Sequence, residues 1–328
     1  MNKTVKRILA LGLSAVLVGS VFAGCAAEET GKYKIGILQS VQHNALDEAT
    51  RGFQDAVIEA LGEENVEIDL QNAGGDSPTC ATIANQFVAS GVDLIMANAT
   101  QALQASVSAT ADIPIVATSI TDYASALEID QANWTGSTNI NVTGTSDLAP
   151  LEQQAAMVQE LCPDAQTVGI LYCSAESNSQ YQADVITESL TSLGYEVNTY
   201  TCADTNEIAT ATTQACQEVD VIYIPTDNTI ASATSAVDQI AGPAGIPVIA
   251  GEEGICEGCG VATLSISYYD IGVKAGQMAV EILQNGSDPA DMPIEYADNL
   301  TKKYVPSRAQ ALGITVPSDY VAIEETEE

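Results

Sequence analysis

YKIGILQ (Tyr33–Gln39), VDLIMA (Val92–Ala97) and IPIVA (Ile113–Ala117) return in the same order as TVGILY (Thr167–Tyr172), VDVIYI (Val219–Ile224) and IPVIA (Ile246–Ala250). Gly36 and Gly169 lie 133 positions apart, as do Pro114 and Pro247, and Asp93 and Asp220 lie 127 apart. Each run is short, continuous and apolar, the pattern of a strand buried on both faces. Between the runs of the first copy lie helical segments at Leu46–Leu61, Thr79–Ala89 and Gln101–Ser108, and a strand at Val66–Gln71. The second copy answers with helices at Tyr181–Leu193, Glu207–Gln217 and Ile230–Ile240 and a strand at Glu196–Thr201. Strand–helix alternation predicts a parallel sheet with helices on both faces and right-handed connections. Two copies predict two similar α/β lobes.

Ligands of such sheets gather beyond the carboxyl ends of the strands. In the first copy those positions hold Ser40, Gln42, His43, Asn44, Leu46 and Asp47, then Asn98, Ala99, Thr100 and Gln101, then Thr118, Ser119, Thr121 and Asp122. In the second they hold Glu176, Ser177, Asn178 and Ser179, then Thr226, Asp227 and Asn228, then Glu252 and Glu253. Each Ser, Thr, Asn or Asp there is also an ordinary helix N-cap. Pooled in one cleft, they offer helix N-termini for an anion and carboxylates for a cation, which together suit a zwitterion.

The composition excludes other classes. Among 328 residues, 44 are Asp or Glu against 10 Lys or Arg, a formal net charge of −34. That charge repels phosphate backbones, and the scattered cations form no patch for nucleic acid. With His43 as the single histidine, His-based catalysis and His-rich metal sites find no second His to use. No G-x-S-x-G, phosphate-binding loop, H-E-x-x-H or G-x-G-x-x-G follows a strand, so neither an enzyme nor a cofactor is expected.

The first 24 residues read as a secretory signal peptide, with Lys3, Lys6 and Arg7 before the apolar run Ile8–Ala23. Phe22-Ala-Gly-Cys25 resembles a bacterial lipobox, which makes Cys25 the expected lipidation site and residues 25–32 a tether at the outer face of a membrane. The other cysteines are Cys80, Cys162, Cys173, Cys202, Cys216, Cys256 and Cys259, an odd number with no readable connectivity. Cys256-Glu-Gly-Cys259 lacks a second pair for zinc and is read as a loop feature or a local disulfide.

YKIGILQSVQHNALDEATRGFQDAV, DLQNAGGDSPTCATIANQFVASGVDLIMANAT, NVTGTSDLAPLEQQ and YIPTDNTIASA resemble the substrate-binding lipoproteins of ABC importers, in the group linked to tryptophan and tyrosine uptake. The resemblance runs from Tyr33 to Val316. It implies a periplasmic-binding-protein-like type I fold, with two Rossmann-like lobes joined by crossover strands. Residues 33–145 plus 267–293 would form the first lobe, and 146–266 plus 294–322 the second. It implies a monomer that closes on a small molecule and delivers it to a permease and an ATPase. Carried over by position, Gln42, His43, Leu46 and Asp47 supply one wall, and Asn98-Ala99-Thr100, Thr145-Ser146-Asp147, Ser177-Asn178 and Thr226-Asp227-Asn228 match the other cleft motifs.

On this reading Thr100, Ser146, Ser177 and Asn178 hold a ligand carboxylate. Asp227 holds the ammonium, with Glu252 as second candidate. Tyr269, with Tyr268, Tyr123 and Tyr181, offers aromatic walls. The GEEGICEGC stretch departs from the family pattern and places its cysteines at the cleft edge. Other readings are a sugar- or nucleoside-binding protein of the same fold, a ligand-sensing subunit, and a carboxylate-based hydrolase.

Overall fold

The computed structural model describes residues 31–324, so the expected signal peptide, Cys25 and most of the tether lie outside the described residues. The first copy runs β1 (Tyr33–Gln39), α1 (Asn44–Leu61), β2 (Val66–Asn72), α2 (Ser77–Ser90), β3 (Leu94–Asn98), α3 (Thr100–Ala109), β4 (Ile115–Ile120), α4 (Tyr123–Ala126) and β5 (Val142–Ser146). The second runs α5 (Leu151–Leu161), β6 (Thr167–Cys173), α6 (Ser177–Ser192), β7 (Glu196–Cys202), α7 (Ile208–Glu218), β8 (Val221–Ile224), α8 (Asn228–Ala231), α9 (Ser235–Ala244), β9 (Val248–Ala250), α10 (Glu253–Cys259) and β10 (Ala262–Ser265). The chain then continues through α11 (Tyr268–Asn285), β11 (Glu295–Tyr296), β12 (Thr301–Tyr304), α12 (Pro306–Leu312) and β13 (Val321–Ala322).

Two sheets result, in the orders β11-β5-β4-β3-β1-β2 and β13-β12-β10-β9-β8-β6-β7. Pairings are parallel throughout, except that β12 runs antiparallel to β10. The repeated Val-Asp serves the same end in both copies. Asp93 accepts from Lys34 N at 2.7 Å, and Asp220 accepts from Gln166 N and Thr167 N, both at 2.9 Å. Each aspartate thus ties the start of one strand to its neighbour.

Both faces of each sheet are covered. In the first, Ile35, Ile37, Leu94 and Met96 pack on α1 and α11, while Leu38, Ile95 and Ala97 pack on α2 and α3. In the second, Ile170, Val221 and Tyr223 pack on α5 and α6, while Leu171, Ile222 and Ile224 face α7, α9 and α10. Helix α11 leaves the second sheet and seats on α1 because small residues let the backbones meet. A Cβ on Gly272 would stand 2.1 Å from Ala49 O, and one on Gly52 would stand 2.2 Å from Tyr269 O.

Strand pairing moves two expected boundaries. Ser146 ends β5, and Glu295–Tyr296 pairs with β5, so both belong to the first sheet and the last crossover follows Tyr296. The helix expected over Ile230–Ile240 is two helices, α8 and α9, with the chain turning through Ser232–Thr234 between them. The C-x-x-C lies in helix α10, not in a loop, and both cysteines are free and buried in the core of the second sheet, away from the cleft edge. Arg308 on α12 holds the C-terminal carbonyls of that helix, donating to Glu257 O at 2.7 Å and Gly258 O at 2.8 Å.

Candidate functional site

The carboxyl ends of the two sheets meet across a narrow cleft, closed by side chains that reach from one sheet's elements to the other's. His43 Nε2 lies 3.1 Å from Asn228 Oδ1. Gln182 Nε2 donates to Thr121 Oγ1 at 3.4 Å. Within the first lobe, Tyr268 at the start of α11 donates its hydroxyl to Asp147 Oδ2 at 3.0 Å, and Thr121 Oγ1 donates to Asp147 Oδ1 at 3.1 Å. Two cavities flank this closed centre. One of about 450 Å³ lies beside the crossovers and is lined by Asn44, Glu48, Glu253, Ser265, Tyr268 and Lys303. The other, about 180 Å³, lies between the ends of β1 and β6 and is lined by Ser40, Gln101, Cys173, Glu176, Asn228 and Thr229. The larger cavity holds a cation that is already paired, since Lys303 Nζ meets Glu253 Oε2 at 2.6 Å.

Helix N-termini around the cleft divide into two kinds. Helices α4, α8, α10 and α11 are capped by their own side chains: Asp122, Asp227, Glu252 and Ser267 accept from the first-turn N–H groups. Helices α1, α3 and α6 have no side-chain cap. These three follow β1, β3 and β6, at or beside the points where strand order reverses and where such folds bind ligands. An uncapped N-terminus presents N–H groups and a partial positive charge.

Buried acceptors without a partner lie around the same ends: His43 Nδ1, Asn98 Oδ1, Gln101 Oε1 and Asn178 Oδ1, together with the Ser119 hydroxyl. A buried polar atom with no partner carries a desolvation penalty of about 1–3 kcal/mol, which a ligand removes. Backbone strain is concentrated here too. Ala99 has φ 81° and ψ 162°, a region that glycine favours, and Ser119 has φ 58° beside a register shift in β4. Such strain gathers at ligand sites because the surrounding structure holds it in place.

The residues expected from sequence fall into three groups. His43, Asn98, Ala99, Thr100, Asn178, Thr226, Asn228 and Asp147 are brought together at the cleft. Asn98 Nδ2 donates to Leu46 O at 2.8 Å, which fixes the end of β3 against α1. Thr226 O accepts from Asn178 Nδ2 at 3.2 Å and Gln182 Nε2 at 3.1 Å.

A second group is committed to structure. Asp227 gives one oxygen to Ile230 N at 2.8 Å and the other to Cys173 N at 2.7 Å. Glu252 accepts from Gly254 N at 2.6 Å and also from Ile255 N. Thr145 Oγ1 bonds Thr118 Oγ1 at 2.9 Å and Ile271 O at 3.2 Å, and Ser146 Oγ donates to Thr121 O at 3.0 Å. Leu46 is a core residue.

The third group lies at the rim or outside. Gln42 and Ser177 are exposed, and Asp47 accepts from Gln39 Nε2 at 2.7 Å. Tyr269 faces α1, where its hydroxyl donates to Asp55 Oδ2 at 3.0 Å and Arg51 stacks 4.2 Å from its ring. Tyr123 is buried beneath β5 and donates to Ala117 O at 3.0 Å. Of the expected aromatic walls, Tyr268 is the one that hydrogen-bonds Asp147.

Gln182 was not foreseen. It is 2% exposed, and its amide also accepts from Thr226 N at 3.1 Å. The signal was its place four residues after Asn178, on the same helical face.

The charged groups are short of cations. Burial pushes the Asp147 carboxyl up to about 6 despite the Tyr268 and Thr121 hydrogen bonds, and pushes Glu252 up to about 7. Burial also raises Asp227 well above the usual carboxylate range, with the Glu176 charge adding to it. Burial lowers His43, so its ring is neutral and able to accept at Nδ1. Glu176 is saturated: its oxygens accept from Asn228 N and Nδ2, Thr229 N and Oγ1, and Asn178 Nδ2. Asp147 accepts one donor per oxygen, leaving room for more.

Two α/β lobes whose strand ends close on each other over unpaired polar groups define a protein that clasps a small molecule. Comparison with known proteins gives the family. The family model for ABC transporter substrate binding protein matches residues 34–327, and the chain belongs to that family. It is 36% identical over 309 residues to a tyrosine-binding protein of Clostridioides difficile strain R20291, covering 89% of this chain and 88% of that one. An ABC domain from Streptococcus pneumonia in complex with L-Trp is 36% identical with a TM-score of 0.84, covering 88% of this chain and 97% of that one. The ligand-free, open structure of a substrate binding protein with adhesive properties from Clostridium difficile is also 36% identical, over 89% of this chain and all of that one, but its TM-score is 0.67. Identity being equal, the arrangement here overlaps the L-Trp complex better than the ligand-free open form, in keeping with the cross-cleft bonds.

Proposed function

We propose that this chain captures an aromatic amino acid as a zwitterion between its lobes and hands it to the permease and ATPase of an ABC importer. The observation that carries the zwitterion is the set of uncapped N-termini of α1, α3 and α6 beside unpartnered buried acceptors, with no Lys or Arg among them. With no Lys or Arg among these described residues, a ligand carboxylate takes backbone N–H groups, supplemented by Thr100 and Asn178. The ammonium takes Asp147, the buried carboxylate with spare acceptor capacity, rather than Asp227, whose oxygens are engaged by backbone. A ligand cation supplies the countercharge that Asp147 lacks.

The relatives named for tyrosine and solved with L-Trp support an aromatic side chain. Cys25 as lipid anchor, the outer membrane face and a monomeric chain complete the proposal. They rest on the sequence pattern of the first 25 residues and on the family, and no helix among the described residues is long and apolar enough to cross a membrane.

A thermal-shift panel of amino acids, sugars and nucleosides tests the reading. A ligand at 100 times its Kd adds about 2.7 kcal/mol of stability. A rise with tryptophan, tyrosine or phenylalanine is expected. A rise with sugars or nucleosides alone overturns the ligand class and the role of Asp147 with it.

A further inference from the structure

Cys173 and Cys202 are the last residues of β6 and β7 and stand opposite each other in the parallel register. Neighbouring strands lie about 4.8 Å apart, inside the Cα separation of about 4.4–6.8 Å that a disulfide spans. Residues in register point to the same face of the sheet, and here the Cys173 thiol donates to Ala203 O at 3.5 Å, beside Cys202. Cys173 lines the cavity of about 180 Å³ between the lobes, together with Ser40, Gln101, Glu176 and Asn228. Cys202 lies behind it, with Sγ 3.8 Å from Tyr172 O. Both thiols are buried, and Cys173 is the one of the two that lines this cavity. The Cys202 hydrogen bond outweighs burial and brings the Cys173 thiol down to about 6, while the same contact and burial push Cys202 up. Cys173 is thus the more acidic thiol of the pair and Cys202 its reserve.

We propose that Cys173 and Cys202 form a thiol–disulfide exchange site opening into the ligand cleft, with small-molecule disulfides as its oxidant. The Cys173 thiolate attacks one sulfur of the disulfide. A Cys173–sulfur bond forms, the disulfide bond breaks, and one small thiolate leaves and takes a proton. Cys202 then gives up its proton and attacks Cys173 Sγ, the second small thiol leaves, and a Cys173–Cys202 bond remains. Two protein thiols are oxidised and one disulfide is reduced to two thiols. The exchange does not depend on the identity of the transported ligand.

The full-length protein, purified reduced, is incubated with glutathione disulfide at neutral pH, and its cysteine peptides are mapped by mass spectrometry over time. The first product expected is a cross-linked pair of peptides carrying Cys173 and Cys202. Exposure alone favours Cys162 and Cys216, which are only partly buried, but burial pushes both thiols up, Cys162 to about 11. If Cys162 or Cys216 reacts first, or if Cys256 and Cys259 cross-link while Cys173 stays reduced, the proposal is overturned. Cys202→Ser removes the second step, so Cys173 should keep one bound glutathione. A variant that folds, by circular dichroism, and carries none contradicts the order of attack. If that variant does not fold, the peptide map of the natural chain decides alone.

Discussion

The ends of β3 and β8 occupy corresponding places in the two copies, yet they are built in opposite ways. After β8, Asp227 caps Ile230 N and ties Cys173 N, while Glu176 takes the N–H groups of Asn228 and Thr229. That end is satisfied before any ligand arrives. After β3, Ala99 is the N-cap of α3 as Asp227 is of α8, but it has φ 81° and no side chain to cap the helix. Asn98 Oδ1 and Gln101 Oε1 beside it have no partner. One copy closes its helix end with its own carboxylates, and the other leaves its end strained and open. On the proposed reading, the difference gives the β3 end to anion binding and the β8 end to rigidity. It also explains why a buried aspartate after a strand need not be a ligand group.

The largest effect should come from breaking the closed end. Asp227→Ala strands the N–H groups of Cys173 and Ile230 in a buried setting. We expect a loss of at least about 3 kcal/mol of stability, measured by urea denaturation. An Asp227→Ala protein of unchanged stability that no longer binds ligand would return Asp227 to the ammonium.

The pH response comes next. Asp147, raised from 3.8 to about 6, and Glu252, raised from 4.5 to about 7, bind protons more tightly in the folded state than in the unfolded. Their contribution is fully present below about pH 4 and is lost as pH rises through 6 and 7. The melting temperature of the ligand-free protein should carry a falling component between pH 4 and 7. Asp147→Asn should remove its lower part, and a slope identical in that variant would contradict the assignment.

Ligand affinity sharpens the comparison further. Asp147→Asn should weaken amino-acid binding at least about tenfold, roughly 1.4 kcal/mol, without loss of stability, because it removes a buried charge that has no cation. Calorimetry on the variant checks both halves. The smallest effect belongs to the strained end. Ala99→Gly relieves the positive φ and should raise stability by about 1 kcal/mol, seen as a higher melting temperature.

Much of this was legible in the sequence. The repeated runs gave both sheets because strands buried on two faces read as continuous apolar segments. Strand-following positions located the cleft, since parallel sheets bind at their carboxyl ends. Roles within the cleft were less legible. Tyr268 and Tyr269 are adjacent on α11, so about 100° of helical rotation sends one to Asp147 and the other to Arg51. Thr145 and Ser146 carry hydroxyls that the sheet and the crossover consume. Gln182 lies one turn inside α6, beyond the stretch that a strand-end rule inspects. Asp227 illustrates the general difficulty, because a cap and a ligand carboxylate have the same sequence signature and differ only in which N–H groups come within reach.

Calorimetric titration with L-tryptophan, tryptamine and indole-3-propionate tests the central claim most directly. Tryptamine lacks the carboxylate and indole-3-propionate lacks the ammonium. If uncapped helix ends hold one charge and Asp147 the other, L-tryptophan binds and each analogue loses at least about tenfold in affinity. Either analogue binding as tightly as L-tryptophan would contradict the zwitterion clasp.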